Sequence, residues 1–186
     1  MSGKWEVLSS QELLRAGFIR LRTDRCKLPD ERIMPHYYVM ELSDWANIVA
    51  LTDDNQMILV RQYRHAAGEV HLEIPGGGVD PRLSETPQQA AARELLEETG
   101  YTSENIRFVA KHRPNPAMQN NFMHTFIATG CRKTHDPKPD AFEDIEVVTM
   151  PIPEVMDKVM AGEINHTIVV ASLLYALPVL GFSVPR

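Results

Sequence analysis

Hydrophobic and polar residues alternate in the first part of the chain, as they do in strands with one buried face. Apolar side chains alternate with charged ones within residues 17–28, and residues 34–42 repeat the pattern. A shorter strand is predicted at residues 5–8. Apolar segments farther along predict strands at residues 47–51, 57–60, 106–111 and 122–129. The run at 57–60 is uninterrupted, so we expect its strand to be covered on both faces.

One helix is strongly indicated between Thr86 and Gly100. Thr86 fits the N-cap, Pro87 fits the first helical position, and Gln89 completes a capping-box pattern. Gly100 fits the left-handed residue that follows a helix. The residues expected to face the sheet are Ala91, Ala92 and Leu95. Two further helices are predicted at residues 153–160 and 167–176.

Three glutamates, Glu94, Glu97 and Glu98, crowd the last turns of the helix that precedes Gly100. Like charges three or four residues apart repel each other on a helix surface. The partial negative charge at a helix C-terminus also disfavours carboxylates. A divalent cation would reverse this cost, because hard cations bind carboxylate oxygens. The alternative is a solvated acidic face, since glutamate is a good helix former.

The segment from Glu85 to Tyr101, which ends in RELLEETGY, resembles the Nudix hydrolase box. That box reads glycine, five residues, glutamate, seven residues, and then Arg-Glu-apolar-any-Glu-Glu-any-Gly-apolar. Here six residues separate Gly78 from Glu85, which we interpret as a loop insertion at residues 79–84. The resemblance implies an α/β Nudix fold, in which a mixed sheet lies between helices (α/β/α). It also implies hydrolysis of a nucleoside diphosphate linked to another group.

A divalent metal site at the end of the helix is the chemical core of the resemblance. The metal would be Mg²⁺, with Mn²⁺ as an alternative, and would orient a water and lower its pKa. Either Glu97 or Glu143 would take the proton from that water. The implied ligands are Glu94, Glu97, Glu98, the carbonyl oxygen of Gly77, and Glu143.

Other box residues are assigned structural roles by the same resemblance. Glu85 and Arg93 would form an ion pair that fixes the loop against the helix, and Gly78 and Gly100 would shape the backbone. Glu143 is chosen because nucleotide-sugar relatives carry an acidic residue before the corresponding strand. Weaker candidates for that role are Asp144 and Glu146.

Substrate contacts are expected from residues outside the box. The sequence RQYR resembles a strand end in relatives that cleave nucleotide sugars, so Arg64 is the preferred pyrophosphate contact and Arg61 the second. The alternative is a pair of surface arginines. Glu73 either touches substrate or pairs with an arginine. A proline-containing loop resembles one that contacts substrate in ADP-ribose-type pyrophosphatases, and its weak candidates are Asn115 and Gln119.

Composition narrows the function classes. The 186 residues carry a net charge of −6, which gives no electrostatic footprint for nucleic acid. No apolar run reaches the length of a membrane span, and the first residues are too polar for a signal peptide. We therefore expect a cytoplasmic protein with no nucleic-acid or membrane partner. No metal-binding Cys-x-x-Cys or His-Glu-x-x-His pattern occurs, so zinc chemistry is not indicated.

Two domains are expected: an N-terminal strand extension at residues 1–43 and a Nudix domain at residues 44–186. The extension resembles the N-terminal sheet of the nucleotide-sugar branch, where that sheet helps to form a homodimer. A hairpin appended to a monomer is the alternative. The favoured substrate is a nucleoside diphosphate sugar such as ADP-ribose or GDP-mannose. The alternatives are a nucleoside triphosphate, a dinucleoside polyphosphate, or a Nudix domain that only binds nucleotide.

Overall fold

The computed structural model of the chain describes residues 3–182. The helices in this part of the chain are α1 (Pro87–Thr99), α2 (Ile152–Met160) and α3 (Thr167–Val179). The strands are β1 (Glu6–Ala16), β2 (Ile19–Lys27), β3 (Ile33–Glu41), β4 (Trp45–Thr52), β5 (Gln56–Arg64), β6 (Glu69–Glu73), β7 (Gly76–Gly78), β8 (Tyr101–Thr102), β9 (Asn105–His112), β10 (Met123–Lys133) and β11 (Ile145–Pro151). None of these helices is long and apolar enough to cross a membrane.

The described residues form two compact units, and the first comprises residues 3–43 with residues 113–122. Its β1, β2 and β3 form an antiparallel sheet in that order. A strand is present where residues 5–8 predict one, but it is longer than expected, because β1 extends to Ala16 and pairs with β2 along its length. The polar and charged residues of that segment hid the strand, since all eleven positions of β1 are exposed.

The second unit, residues 44–112 and 123–182, contains the larger sheet. Its central strand order is β11-β5-β4-β10-β8, with β6 on β5, β7 on β4 and β9 on β10. β4 and β10 are parallel, while the other neighbours are antiparallel. The sheet lies between α1 on one face and α2 with α3 on the other. The predicted mixed sheet between helices is therefore confirmed.

β4 shows why both faces of the sheet are covered. Ile48 packs in the cluster that contains α1, whereas its neighbour Val49 packs in the cluster that contains α2 and α3. Alternation along a strand sends successive side chains to opposite faces, so a continuous apolar run serves two cores. The same holds for β5, where Ile58 and Leu59 belong to different clusters. The expectation for residues 57–60 is confirmed.

Helix α1 begins and ends where the sequence predicts. Thr86 and Gln89 form the capping box, and Gly100 has the left-handed φ of 76°. One of the expected sheet-facing residues differs: Ala90 is fully buried, whereas Ala92 is only half-buried. The buried stripe of α1 therefore begins with Ala90 and Ala91 instead of Ala91 and Ala92, and it includes Leu95 as expected.

The three glycines at residues 76–78 form a short strand rather than a simple turn. Gly76 pairs with Asn47 and Gly78 with Trp45, both on β4. A Cβ at Gly76 would lie 2.6 Å from the carbonyl oxygen of Ala46, so only glycine allows this close approach. β7 therefore brings bare backbone against the edge of β4 just before the loop that leads to α1.

Candidate active site

β7 lies between two features, an acidic cluster on α1 and a cavity. The acidic cluster is Glu94, Glu97 and Glu98. A side chain at Gly77 would collide with the carboxylate of Glu94, and the Gly76 N–H donates to Glu98 Oε2 at 3.0 Å. The same two glycines line the cavity. One glycine strand thus contacts both features, which places the acid groups immediately behind the cavity lining.

The cavity has a volume of about 350 Å³. It opens at the ends of β4, β5 and β6 and at the start of α3, and its lining combines apolar side chains with a few charged ones. The lining residues are Trp45, Asn47, Arg64, Glu73, Ile74, Gly76, Gly77, Gly78, Met123, His166, Ile168 and Val169. Such a mixture is typical of small-molecule sites, where a few polar groups fix the orientation of the ligand.

Arg93 organises most of the acidic residues around α1. It donates Nε and Nη2 to Glu85 at 3.1 and 3.0 Å, so the ion pair implied by the box is present. Its Nη1 also donates to Glu94 at 2.9 Å and to Glu97 at 2.8 Å. Nη2 reaches the carbonyl oxygen of Gly78 at 3.1 Å as well. Arg93 therefore offsets much of the repulsion that the sequence predicts among these carboxylates. Its hydrogen bonds to Glu85 hold the pKa of that carboxyl below its usual range.

Glu98 takes no part in that arginine network. Its side chain is buried at 3% exposure, and the Gly76 N–H is the hydrogen-bond donor that the structure gives it. Burial raises the pKa of Glu98 to about 8, and the nearby carboxylates of Glu94 and Glu143 add to the rise. Burial also raises the pKa of Glu94, against the opposing effect of Arg93. The charge of Arg64 lowers the pKa of Glu98 only in part, and no cationic side chain is in hydrogen-bond contact with its carboxylate.

Glu143 comes to the same corner from the loop that precedes β11. Its charge interacts with those of Glu94 and Glu98, and also with that of Arg64. Its own Oε2 accepts the backbone N–H of Asp140 at 3.0 Å, which steadies the loop. The loop therefore brings a fourth carboxylate into the electrostatic range of the acidic cluster.

The two arginines of RQYR have different surroundings. Arg61 pairs with Glu146 at 2.6 Å across β5 and β11, where both side chains are largely exposed. Arg64 lines the cavity and donates Nε and Nη2 to Glu73 at 3.1 and 2.6 Å. Of the two interpretations left open for Glu73, the arginine pair is the one present. Arg61 is not among the cavity residues. Its partner Glu146 is one of the weaker candidates for the acidic residue before β11.

The donor set at the helix end fits a divalent cation. The acidic cluster and the Gly77 carbonyl offer only oxygen atoms, which hard cations prefer. Glu98 is a buried carboxylate near two others with no cationic side chain in hydrogen-bond contact, an arrangement that a cation would stabilise. As the side chains stand, no three acidic, His or Cys groups among residues 3–182 converge on a common point. Arg93 Nη1 lies between Glu94 and Glu97 instead.

Asn115 and Gln119 belong to the first unit. The carbonyl oxygen of Asn115 accepts the N–H groups of Met118 and Gln119 at 3.1 and 2.8 Å, which closes a tight turn. Gln119 also pairs with Met40 through an isolated β-bridge. Their role as substrate contacts stays a prediction.

Several cavity residues were not predicted from the sequence. His166 contacts Glu73 Oε1 through Nδ1 at 3.1 Å, although 93 positions separate them in the chain. Asn47 exchanges hydrogen bonds with Ser172 on α3 at 2.8 and 3.2 Å, and Ser172 also bonds Thr125 at 2.8 Å. The only sequence signal for this network was polar residues inside apolar segments of β4, β10 and α3.

Two known families match the chain. The NUDIX domain family matches residues 43–169, more than half of the chain. The nucleoside diphosphate sugar hydrolase N-terminal domain matches residues 5–39. A solved structure of an ADP compounds hydrolase superposes with a TM-score of 0.84 over 97% of this chain and 96% of that one. At 22% identity, that likeness shows the fold.

Two curated relatives are similar over nearly the whole chain. An ADP-ribose pyrophosphatase of Mycobacterium tuberculosis is 32% identical over 98% of this chain and 88% of its own length. A CMP-5'-(N-acetyl-N-hydroxy-3-aminopropyl)phosphonate hydrolase of Streptomyces rubellomurinus is 30% identical over 98% of this chain and 85% of its own. An ADP-sugar pyrophosphatase of Mus musculus is 32% identical over 64% of this chain and 56% of its own.

Proposed function

The chain belongs to the Nudix hydrolase family, and on that premise we propose that it hydrolyses the pyrophosphate bond of a nucleoside diphosphate sugar. The products are a nucleoside monophosphate and a sugar phosphate. ADP-ribose is the favoured substrate, because the Mycobacterium tuberculosis relative is named for it and aligns over nearly the whole chain. GDP-mannose is the second substrate to test.

The observation that carries this proposal is the position of β7. Gly77 lines the cavity and lies against the carboxylate of Glu94, while Gly76 lines the cavity and binds Glu98. A pyrophosphate held near Gly77 would therefore be next to both the acidic cluster and Arg64. A cavity of this size and mixed lining suits one end of the substrate.

Nudix hydrolases generally use a divalent metal, and here the acidic cluster with the Gly77 carbonyl would hold Mg²⁺ or Mn²⁺, which offsets phosphate charge and lowers the pKa of a water. Glu98 is suited to this role, because its buried carboxylate has no cationic partner in hydrogen-bond contact. Glu143 completes the set from its loop.

The protein's own side chains position the substrate and move the proton. The guanidinium of Arg64 binds a phosphate oxygen and is oriented by its two hydrogen bonds to Glu73. A carboxylate oxygen of Glu97 or Glu143 takes the proton from the attacking water. Glu85 holds Arg93 and, through it, the loop that ends at Gly78. Apolar residues such as Trp45 and Ile74 limit access of bulk water to the cavity.

The test is a hydrolysis assay on a panel of nucleotides with chromatographic identification of the products. The panel contains ADP-ribose, GDP-mannose, ATP and a diadenosine polyphosphate, each with Mg²⁺, Mn²⁺ or EDTA. We expect AMP and ribose phosphate from ADP-ribose, and no turnover in EDTA. Turnover of ATP or the diadenosine polyphosphate alone would replace the proposed substrate class. Binding of ADP-ribose without any turnover would indicate a nucleotide-binding domain.

We also propose that the first unit mediates a homodimer. Its described strands leave large apolar side chains exposed, and among its described residues no helix covers them. The exposed apolar residues are Val7, Leu8, Leu13, Leu14, Phe18, Ile33 and Tyr38. A surface of this kind is typical of an interface. Light scattering at micromolar concentration should give the mass of a dimer, and a monomer mass would refute the assignment.

A further inference from the structure

Glu73 is a buried carboxylate that is contacted by side chains from two separate elements. Arg64, at the end of β5, donates Nε to Oε1 and Nη2 to Oε2. His166, the residue before α3, brings Nδ1 within 3.1 Å of Oε1. All three side chains line the cavity. Arg64 and His166 therefore both contact the same carboxylate oxygen, Oε1.

Because Arg64 is oriented by its two hydrogen bonds to Glu73, the position of the guanidinium depends on the position of that carboxylate. Arg64 and Glu73 both sit at strand ends, and the side chain of Arg64 is 40% exposed. A bidentate pair can rotate as a unit about the side-chain torsions of its two members. His166 removes this freedom, because it belongs to the start of a helix whose first turns are buried in the core at Val169 and Leu173.

The protonation of Glu73 supports this geometry. Burial alone would raise the pKa of Glu73, but the contacts with His166 and Arg64 outweigh it and lower the pKa to about 2. The carboxylate is therefore ionised at neutral pH, where it accepts two hydrogen bonds from Arg64 and faces Nδ1 of His166.

We propose that His166 is a positioning residue, which acts through Glu73 to hold the Arg64 guanidinium in the orientation that meets the substrate pyrophosphate. The proposal rests on the function proposed above. It assigns a role in substrate binding to a histidine far from the Nudix box in the sequence. Two other roles are distinguishable: a direct contact between His166 and substrate, and a contribution to folding alone.

The kinetic experiment compares His166→Ala with His166→Asn. An asparagine side chain can place an N–H near the position of Nδ1, so it should restore a polar contact with Glu73. We expect His166→Ala to raise KM for ADP-ribose about tenfold with little change in kcat, since one polar contact with a charged group is lost from substrate positioning. His166→Asn should recover most of that loss. His65→Ala, which removes an exposed histidine next to Arg64, is the matched control and should leave KM unchanged.

A double-mutant cycle with Arg64→Ala separates the three roles. If His166 acts through Arg64, then His166→Ala should have almost no further effect on KM once Arg64 is replaced. Additive effects would show a direct substrate contact and overturn the proposal. An unchanged KM for His166→Ala, in a variant that melts like wild type, would also overturn it. A loss of melting temperature that the asparagine does not restore, without the KM change, would show a folding role only.

A second measurement does not depend on turnover. The Nε–H of Arg64, identified by its loss in Arg64→Lys, should exchange slowly with solvent in NMR spectra of the wild type. Its exchange should accelerate in His166→Ala and slow again in His166→Asn. Inactivity of the wild type on the whole panel would refute the proposed function but leave this positioning measurable. Unchanged Nε–H exchange in His166→Ala would refute the positioning whatever the substrate.

Discussion

Glu73 and Glu98 have equal burial but opposite surroundings. Each is 3% exposed. Glu73 ends β6, the strand before β7, and Glu98 lies on α1, the helix after it. Glu73 has an arginine and a histidine in contact, and its pKa is lowered to about 2. Glu98 has one backbone N–H and neighbouring carboxylates, and its pKa is raised to about 8 by burial and those charges.

The difference shows that the protein supplies a cationic hydrogen-bond partner to Glu73 but not to Glu98. A buried charge is stable only when it is paired and hydrogen-bonded. The protein supplies both conditions at Glu73, so that residue is part of the framework of the cavity. At Glu98 the cationic partner is missing from the hydrogen-bond contacts, which supports our proposal that a divalent cation provides it.

The largest effect is expected from replacing Glu98, and it falls on catalytic activity. Glu98→Gln keeps the shape and helix propensity of the side chain but removes a charge from the proposed metal site. We expect kcat to fall about 100-fold or more, because metal-based stabilisation of charge supplies several kcal/mol. In EDTA the variant should melt at or above the wild-type temperature, since a neutral amide is easier to bury. Near-normal kcat, or a much lower melting temperature in EDTA, would make Glu98 a structural residue.

The same substitution at Glu73 should act on stability instead. The ordinary pKa of 4.5 falls to about 2 on folding, so the ion pairs stabilise the protein above pH 4.5 and lose this effect as the pH falls toward 2. We expect Glu73→Gln to lower the free energy of unfolding by about 3 kcal/mol at pH 7 and by only about 1 kcal/mol at pH 3. Urea denaturation of both proteins at the two pH values measures this. A difference that does not change with pH would contradict it.

A smaller effect is expected at Glu85, which is paired but lies at the edge of the acidic cluster. Its partner Arg93 also binds Glu94 and Glu97, so Glu85→Gln loosens the arginine without removing it. We expect a loss of about 1 kcal/mol in stability and a several-fold loss in kcat. Thermal melting and steady-state kinetics on one preparation test this. An effect on kcat as large as that of Glu98→Gln would place Glu85 in the metal site itself.

The surroundings of Glu98 could be predicted from the sequence better than the surroundings of Glu73. The spacing of the Nudix box, the capping box at Thr86 and the glycine at position 100 together locate α1. These signals are local, because all of them lie within or next to one helix. The same local reasoning overstated the repulsion at Glu94 and Glu97. Arg93 reaches both carboxylates through one nitrogen, and that geometry cannot be read from spacing alone.

The surroundings of Glu73 depend on contacts between distant segments. Arg64 is nine residues away and His166 belongs to another element, so only the folded chain reveals that both bind the same carboxylate. The part of β1 beyond residue 8 was not predicted for a related reason. Its residues are exposed and its strand is defined by pairing with β2, so no buried face left a pattern in the sequence.

The most direct test of a cation at Glu98 is the shift in melting temperature between EDTA and saturating Mg²⁺. For the wild type we predict a rise of about 5 °C or more, since a ligand at 100 times its Kd stabilises by about 2.7 kcal/mol. Glu73→Gln, with the same chemical change at an equally buried glutamate, should keep that rise, whereas Glu98→Gln should lose it. An equal rise in wild type and Glu98→Gln would contradict the assignment of Glu98 as a metal ligand.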